Sequence, residues 1–234
     1  MRRRSPDDWS DAIALPLFAR LSGEERERLV GLAAQFLRRV QIRSNDIELT
    51  DSMRTLIAAQ AVLPVLNLGL SWYRGWKTIV VVPGEFRRAV TDVDAAGVVH
   101  EYVDRSVGES WDDGPVLLSW DDVRASGYCD GYNVVIHEAA HRIDLTDGSA
   151  NGRPSLPRDI APSEWYETCG AAFADLSRPA RRRRSRIDAY AATDDAEFFA
   201  VTTEVFFERP TLLNREYPDL YRLYARFYRQ DPLG

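Results

Sequence analysis

A pair of histidines four residues apart limits the folds open to this chain. His137 and His141 fall in the apolar stretch VVIHEAAHRIDL, although the whole chain of 234 residues has only three histidines. If the stretch is helical, this spacing puts both imidazoles on one face, one turn apart. Because that arrangement is a metal-binding geometry, the stretch predicts a buried helix that carries a metal site.

The glutamate after the first histidine completes an HExxH motif, which has a mechanical rationale in zinc hydrolases. Two neutral imidazoles one turn apart each reach a zinc ion at about 2.0–2.1 Å. Glu138 lies about 100° round the helix, where it can hold a water without binding the metal. Zinc lowers the pKa of its bound water to about 7. Glu138 can then take the proton during attack on a carbonyl and pass it to the leaving amine. The alternative is that HEAAH is the polar face of an ordinary helix, and Arg142 beside it is expected to point outward.

A catalytic zinc takes a third protein ligand and keeps its fourth position open. Nearby candidates are Asp144 and Asp147, and Asp147 stands six residues after the second histidine, where one metalloprotease class has its third ligand. That class uses a glycine-enabled turn, but Asp144 occupies the position of the glycine. The distant candidate is Glu197, in the first turn of a helix that Thr193 or Asp194 can cap. We favour Glu197.

Further polar residues are candidates for supporting roles. Glu204 follows Glu197 by seven residues, so the two fall on about the same helix face. Glu204 and Asp144 can each accept a histidine N–H and fix its tautomer, or each can be a structural carboxylate. The hydroxyl of Tyr190 can donate a hydrogen bond to the oxyanion of a tetrahedral intermediate, or Tyr190 can simply pack.

The order of the predicted elements indicates an α+β fold. Ser22 and Glu25 form a capping-box signature at the start of an amphipathic helix. We expect a single domain over 1–234, with a helical N-terminal part at about 1–75 and a small sheet with the zinc-site helices at about 76–234. The predicted elements are a helix at 49–70 bent near Pro64, strands at 77–83, 98–107 and 115–120, and helices from about 132, at 163–177, at 195–208 and at 217–229.

Composition indicates what class of protein this is and which partners it is not expected to have. Apolar content of 45% and charged content of 28% are ordinary for a soluble globular protein, and the net charge of −6 argues against direct nucleic-acid binding. The most hydrophobic segment, at 56–70, is too short to span a bilayer. Cys129 and Cys169 form neither a CxxC pair nor a disulfide framework, which fits a reducing compartment. We therefore expect a cytoplasmic protein without a membrane partner, and we expect the arginine run at 181–184 to be a solvated surface loop.

Nearly the whole chain resembles the Mlc titration factor A family of bacterial zinc metallopeptidases. The resemblance runs from IALPLFARLSGEERERLVGLAAQFL through LPVLNLGLSW, GPVLLSW, VVIHEAAHRIDLTDG and IDAYAATDDAEFFAV to FYRQDPL. Carried over residue by residue, it implies that His137, His141 and Glu197 bind one zinc ion (Zn²⁺) per chain. It also implies that Glu138 is the general base and that Tyr190 belongs to the active site.

The resemblance further implies a zincin-like fold and an aminopeptidase-type activity on peptide substrates, linked to the regulation of sugar uptake. A second function class is a regulatory protein that binds an Mlc-like transcriptional repressor, with weak or partner-switched catalysis. A pure binding protein would not need Glu138 beside an open zinc position, so catalysis ranks first. The strand PVLLSW at 115–120 can pair with an extended substrate by strand addition, or it can be a core strand.

Overall fold

The computed structural model describes residues 9–84, 89–93, 99–103 and 114–234. Along these residues, helices come first, strands follow, and helices again make up the C-terminal part. The predicted α+β class is confirmed. Residue 98 and residues 104–107 of the predicted second strand lie outside the described part of the chain.

The N-terminal part begins with a short helix and a long amphipathic one. The hydroxyl of Ser22 accepts the N–H of Glu25 at 3.2 Å, and the Glu25 carboxylate accepts the N–H of Ser22 at 2.9 Å, so the predicted capping box is confirmed. Leu29, Ala33 and Phe36 form the buried face of the long helix. The bounds of the two helices are α1 at Ser10–Ile13 and α2 at Gly23–Arg39.

The third helix, α3 at Asp51–Val62, is shorter than the sequence suggested. Thr50 caps its start by accepting the N–H of Met53 at 3.2 Å. The predicted helix across Pro64 is wrong: α3 ends two residues before Pro64, which has no N–H to continue the helical hydrogen bonds. The chain turns there instead and reaches a 3₁₀ turn at Leu70–Tyr73.

The sheet that supports the site has three parallel strands. Its members are β1 at Gln41–Ser44, β2 at Thr78–Val82 and β5 at Val116–Ser119, in the spatial order β1-β2-β5. Ile79 and Val81 of the central strand are fully buried. The predicted strand near 98–107 does not join this sheet: β4 at Val99–Val103 pairs antiparallel with β3 at Ala89–Val93.

The C-terminal part contains the four helices that the sequence predicted, with bounds that differ by at most two residues and that agree fully for 195–208. Short helices that were not predicted lie between them or before them. The helices are α4 at Trp120–Ala125, α5 at Val134–Asp144, α6 at Pro162–Leu176, α7 at Pro179–Arg182, α8 at Asp195–Glu208, α9 at Pro210–Glu216 and α10 at Pro218–Tyr228.

The helix α5, which carries the two histidines, lies between other elements. It contacts α8, α3 and β5, and its apolar residues Val135, Ile136, Ala139, Ala140 and Ile143 are fully buried. Apolar side chains of the N-terminal and C-terminal parts join there in one core. Within the described ranges, we find no helix with the length and hydropathy that crossing a bilayer requires.

The arginine run at 181–184 is less solvated than we expected. Its first residues belong to α7, and the side chain of Arg181 is only 31% exposed. The guanidinium of Arg181 lies 3.1 Å from the Asp175 carboxylate and 3.2 Å from that of Glu216. Arg183 and Arg184 are exposed, as expected. Arg181 therefore links α6 to α9, because those helices carry its two partners.

Candidate metal centre

The start of α5 is fixed by Asn133, directly before the helix. Its side-chain oxygen accepts the N–H of Ile136 at 3.0 Å, which satisfies one of the free donors of the first turn. The helix then turns the side chains of His137 and His141 to the same side. The Nε2 atoms of the two imidazoles lie 3.1 Å apart. The predicted helix and its paired-histidine face are therefore both present.

The helix α8 brings a carboxylate to the two imidazoles. Asp194 caps α8 by accepting the N–H of Glu197 at 2.9 Å, as the sequence predicted, and this puts Glu197 in the first turn. Glu197 Oε2 lies 3.2 Å from His137 Nε2, and Glu197 Oε1 lies 3.6 Å from His141 Nε2. Three candidate ligands from two helices thus converge on one point.

The spacing of these atoms fits a small tetrahedral cation. Ligand bonds of about 2.0–2.1 Å in a tetrahedron put ligand atoms about 3.3–3.4 Å from one another. The measured separations of 3.1, 3.2 and 3.6 Å lie around that value. The side chains of His137, His141 and Glu197 are 16%, 22% and 12% exposed, so the point between them is sheltered but remains reachable.

Hydrogen bonding shows why these groups could hold a cation between them. Glu204 Oε1 lies 2.8 Å from His137 Nδ1, so in a neutral imidazole the proton sits on Nδ1 and Nε2 carries a lone pair. That lone pair faces Glu197 Oε2, a buried oxygen that accepts no hydrogen bond from any described residue. Two acceptors facing each other repel unless a positive charge lies between them. A metal ion satisfies both.

The pKa values of His137 and Glu197 also favour a positive charge between these two residues. Burial lowers the pKa of His137, but its contacts with Glu197 and Glu204 outweigh burial and raise that pKa well above the ordinary value. Burial raises the pKa of Glu197, but its contacts with His137 and His141 outweigh burial and hold that pKa below the ordinary value. Both shifts mean that the centre of the cluster favours positive charge, whether a proton or a metal ion supplies it.

Comparisons with known proteins identify the class of site. The family model described as glucose-regulated metallo-peptidase M90 matches residues 1–229. The chain belongs to this family. Mlc titration factor A of Pectobacterium atrosepticum is 41% identical over 234 residues, which cover 97% of this chain and 88% of the relative. The proteins of the same name from Edwardsiella ictaluri and Salmonella arizonae are 40% and 37% identical, and each match covers 96% of this chain, with 88% and 91% of the relative.

The family resemblance stated from the sequence is therefore confirmed, and the M90 chain is a metallopeptidase. A metal ion belongs to such a protein, and the described residues that can hold one together are His137, His141 and Glu197. The two other residues expected at the site are close to them. Glu138 is half-buried, and its charge contributes to the raised pKa of His137. The ring centroid of Tyr190 lies 6.3 Å from that of His137, with the ring planes 33° apart.

The nearby aspartates of the M90 chain have other partners. Asp147 is exposed, and its Oδ1 accepts the N–H of Ser149 at 3.1 Å in a turn. Asp144 is fully buried, and its Oδ2 accepts the N–H of Gly152 at 2.7 Å. Burial raises the pKa of Asp144 to about 6. Asp144 therefore anchors the loop after the 3₁₀ turn at Leu145–Asp147. Of the two carboxylates that were candidates to accept a histidine N–H, Glu204 is the one that contacts His137 Nδ1.

Gly152 brings this loop against the start of α8. With φ of +73°, its backbone is in the left-handed region, and a Cβ there would lie 2.8 Å from the carbonyl carbon of Asp195. Asp195 is two residues before Glu197. Asp144 of α5, Gly152 of the loop and the first turn of α8 thus form a continuous contact between the two helices that carry the candidate ligands.

The side chain of Arg142 does not have the orientation that the sequence suggested. It was expected to point outward, but it is 7% exposed, and its guanidinium donates to the carbonyl of Gly114 at 2.8 Å. Gly114 stands two residues before β5. The hydrogen bond therefore ties the histidine helix to the start of the edge strand, and the apolar stem of the arginine covers the core.

A buried polar network behind the histidines could not be read from the sequence. Glu204 Oε2 accepts the backbone N–H of Asn133 at 2.5 Å, and the Asn133 amide donates to Glu208 Oε1 and to Gln60 Oε1, both at 2.8 Å. Glu208 also accepts the N–H groups of Gly127 and Cys129, at 3.1 and 2.6 Å. The available signal was three glutamates on a largely apolar helix: 197, 204 and 208 share one face of α8.

Proposed function

We propose that the chain is a zinc-dependent peptidase of the zincin-like type, with His137, His141 and Glu197 as the metal ligands and one zinc ion per chain. The observation that carries the proposal is the convergence of two imidazole Nε2 atoms and a buried, unsatisfied carboxylate oxygen at tetrahedral spacing. Two nitrogen ligands and one oxygen ligand from HExxH and a distant glutamate are a donor set that suits zinc.

The chemistry divides between the metal and the chain. When bound, zinc supplies Lewis acidity at the point where the three ligands meet. Glu138, one residue beyond the first ligand, acts as general base: it takes a proton from the attacking water and delivers it to the leaving amine. Tyr190 donates its hydroxyl hydrogen bond to the oxyanion that develops on the carbonyl, from the side of His137 on which its ring lies. Glu204 keeps the proton of His137 on Nδ1 and so keeps Nε2 free to bind.

The substrate of this peptidase is a peptide in extended form, and the activity is aminopeptidase-like. Two features support this substrate class. β5 pairs with β2 on one side, and no other described strand pairs with it, so its outer edge can accept a substrate strand. Arg142 holds the chain just before that strand against the histidine helix, so a paired substrate would pass close to the cluster.

The experiment that tests the function compares wild type with Glu138→Gln. The substitution keeps side-chain size and leaves the three ligands intact, so zinc content and the melting temperature should be unchanged. Hydrolysis of amino-acid anilides and short peptides should fall by about 10²–10⁴-fold, the usual contribution of a general base. A chelator should abolish wild-type turnover. Equal turnover by the variant and the wild type would refute the role of Glu138, and wild type without stoichiometric zinc would refute the metal site.

A second candidate function is regulation in the cytoplasm by binding an Mlc-like transcriptional repressor. The observation that favours it is that relatives with 37–41% identity are named Mlc titration factor A. Under this proposal, catalysis is weak or switched by the partner. Glu138→Gln separates the two functions, because it should retain repressor binding in a co-purification assay while it loses hydrolysis. Zinc-loaded wild type that cleaves no peptide and retains the repressor would favour regulation.

A further inference from the structure

A cavity lies between the loop after the 3₁₀ turn at Leu145–Asp147 and the start of α6, and its lining residues take no part in the chemistry proposed above. Its volume is about 480 Å³, within the range of small-molecule sites. Three prolines stiffen its wall, and two arginines and a tyrosine line it: Pro154, Pro157, Pro162, Arg153, Arg158 and Tyr166. We call this cavity the proline-walled pocket. Because proline fixes φ, the wall is already ordered before any ligand arrives.

The positive charges of the pocket lack carboxylate partners. The Arg153 guanidinium carbon lies 4.0 Å from the centroid of the Tyr166 ring, and neither Arg153 nor Arg158 forms an ion pair with any residue in the described ranges. Asp147 lies at the same cavity, but its Oδ1 is engaged by the N–H of Ser149. Two unpaired guanidinium groups against one carboxylate leave the pocket with an excess of positive charge, in a chain whose net charge is −6.

Guanidinium groups arranged in this way select a particular kind of ligand. The planar fork of arginine matches a carboxylate with two parallel hydrogen bonds, and it stays charged at every relevant pH. The ring of Tyr166, 53% exposed, and the proline rings offer apolar surface to the carbon chain next to such a carboxylate. The walls thus fit an acidic group on a short organic chain.

The position of the pocket connects it to the metal cluster. Arg153 directly follows Gly152, whose backbone packs against Asp195, two residues before Glu197. The indole N–H of Trp165, which also lines the pocket, donates to the Gly152 carbonyl at 3.0 Å. The contact between Gly152 and Asp195 and the short chain segments on either side of it put Arg153 within about 15 Å of Glu197, a span that an extended peptide of about four residues covers.

We propose that the proline-walled pocket binds a carboxylate of the peptide substrate, a few residues from the bond that is cleaved. The carboxylate is that of the chain terminus or of an acidic side chain, and Arg153 and Arg158 hold it. This inference rests on the proposed peptidase function, and it names the substrate class: short peptides with a free carboxylate. The enzyme should therefore distinguish a peptide acid from the matching peptide amide.

The test uses matched pairs of substrates on the zinc-loaded protein. Pentaalanine is compared with pentaalanine amide, and Ala-Ala-Ala-Ala-Glu amide with Ala-Ala-Ala-Ala-Gln amide, by kcat/KM. Hydrogen bonds to a charged group are worth about 10- to 100-fold, so wild type should favour at least one carboxylate member by that factor. The pair that shows the preference tells whether the carboxylate is terminal or on a side chain. Arg158→Gln, at an exposed position that the fold does not need, should reduce the preference, and Arg153→Gln should reduce it further. Arg184→Gln, an exposed arginine elsewhere, is the control and should keep it.

A binding measurement separates this inference from the peptidase proposal. Calorimetric titration of Glu138→Gln with pentaalanine and its amide should show the same acid preference without turnover. If wild type hydrolyses an uncharged alanine anilide but treats acids and amides alike in both assays, the pocket proposal is overturned and the peptidase stands. If wild type cleaves nothing while Glu138→Gln still binds the acid through Arg158, the peptidase proposal is overturned and the pocket stands.

Discussion

Gly152 offers a sharp test of how the loop positions the candidate metal ligand on α8. Gly152→Ala introduces a methyl group that would lie 2.8 Å from the Asp195 carbonyl carbon and 3.1 Å from its Cβ. The neighbour is backbone in the first turn of a helix, so it has little freedom to yield. Gly148→Ala is the matched control, because Gly148 has φ of +105° in the same loop but no atom within 4 Å of the added methyl group.

The expected losses of stability follow from the surroundings of the two glycines. A left-handed backbone costs alanine about 1–2 kcal/mol, and both variants incur that strain. Overpacking adds about 1–3 kcal/mol at Gly152 alone. In a chain of this size, 1 kcal/mol lowers the melting temperature by about 2–4 °C, so Gly152→Ala should melt about 2–12 °C below Gly148→Ala.

The zinc affinities of the two variants should differ more clearly than their stabilities. Displacing the first turn of α8 moves Glu197 away from its position, and losing such support typically weakens metal binding by about 10- to 100-fold. Zinc competition with a fluorescent chelator, together with thermal unfolding of the metal-free proteins, measures both effects. Gly152→Ala and Gly148→Ala with equal zinc affinity and equal melting temperature would refute the argument that this loop holds the ligand helix in place.

Three further outcomes test the site and its surroundings. Glu197→Ala should lose stoichiometric zinc in metal analysis whereas Asp147→Ala should keep it, and the reverse result would make the aspartate the third ligand. Arg181→Ser should lower the free energy of unfolding by about 1 kcal/mol in urea titrations, because it breaks two partly buried ion pairs, while the exposed Arg184→Ser should change it by less than about 0.5 kcal/mol. Neither should alter peptide turnover, and a collapse in activity would mean that the run reaches the cleft. In the metal-free protein, Asp144 has a pKa of about 6 against an ordinary 3.8, so burial disfavours its ionised form and stability should decline as pH rises from about 4 to about 6. Asp144→Asn cannot ionise and should remove up to about 3 kcal/mol of that decline, so urea unfolding curves with the same pH dependence in variant and wild type would contradict this.

The local features of the fold could be predicted because short-range chemistry specifies them. The capping box at Ser22 and the cap at Asp194 are each formed by side chains within three residues of their partners. The cap at Asp194 fixes the first turn of α8, so Glu197 and Glu204 could be assigned to one face before their partners were known. These predictions needed only helical geometry.

The remaining features depend on contacts between residues far apart in the sequence. β1 has only one buried side chain, Ile42, so its four residues give no apolar run from which a strand could be predicted. Arg142 is charged, and its hydrogen bond to the carbonyl of Gly114, 28 residues away, could not be foreseen from the residues around it. The network around Asn133 joins residues 71–75 positions apart, and no periodic pattern can report such pairs. The missing N–H of Pro64 was a local signal for the end of α3, but the apolar residues beyond the proline suggested that the helix continued.

The three candidate ligands come from two helices, and this has a consequence for the protein while it is being synthesised on the ribosome. Glu197 follows the two histidines by 60 and 56 residues, so α8 is synthesised after α5. Domains fold broadly from the N-terminus as the ribosome adds residues, so a nascent chain can carry the whole HExxH helix while its third ligand is still unmade. If Glu197 binds the metal, such a chain lacks a complete metal site. Hydrolysis then begins only after α8 has docked, and unfinished copies cannot cut the neighbouring chains on the same message.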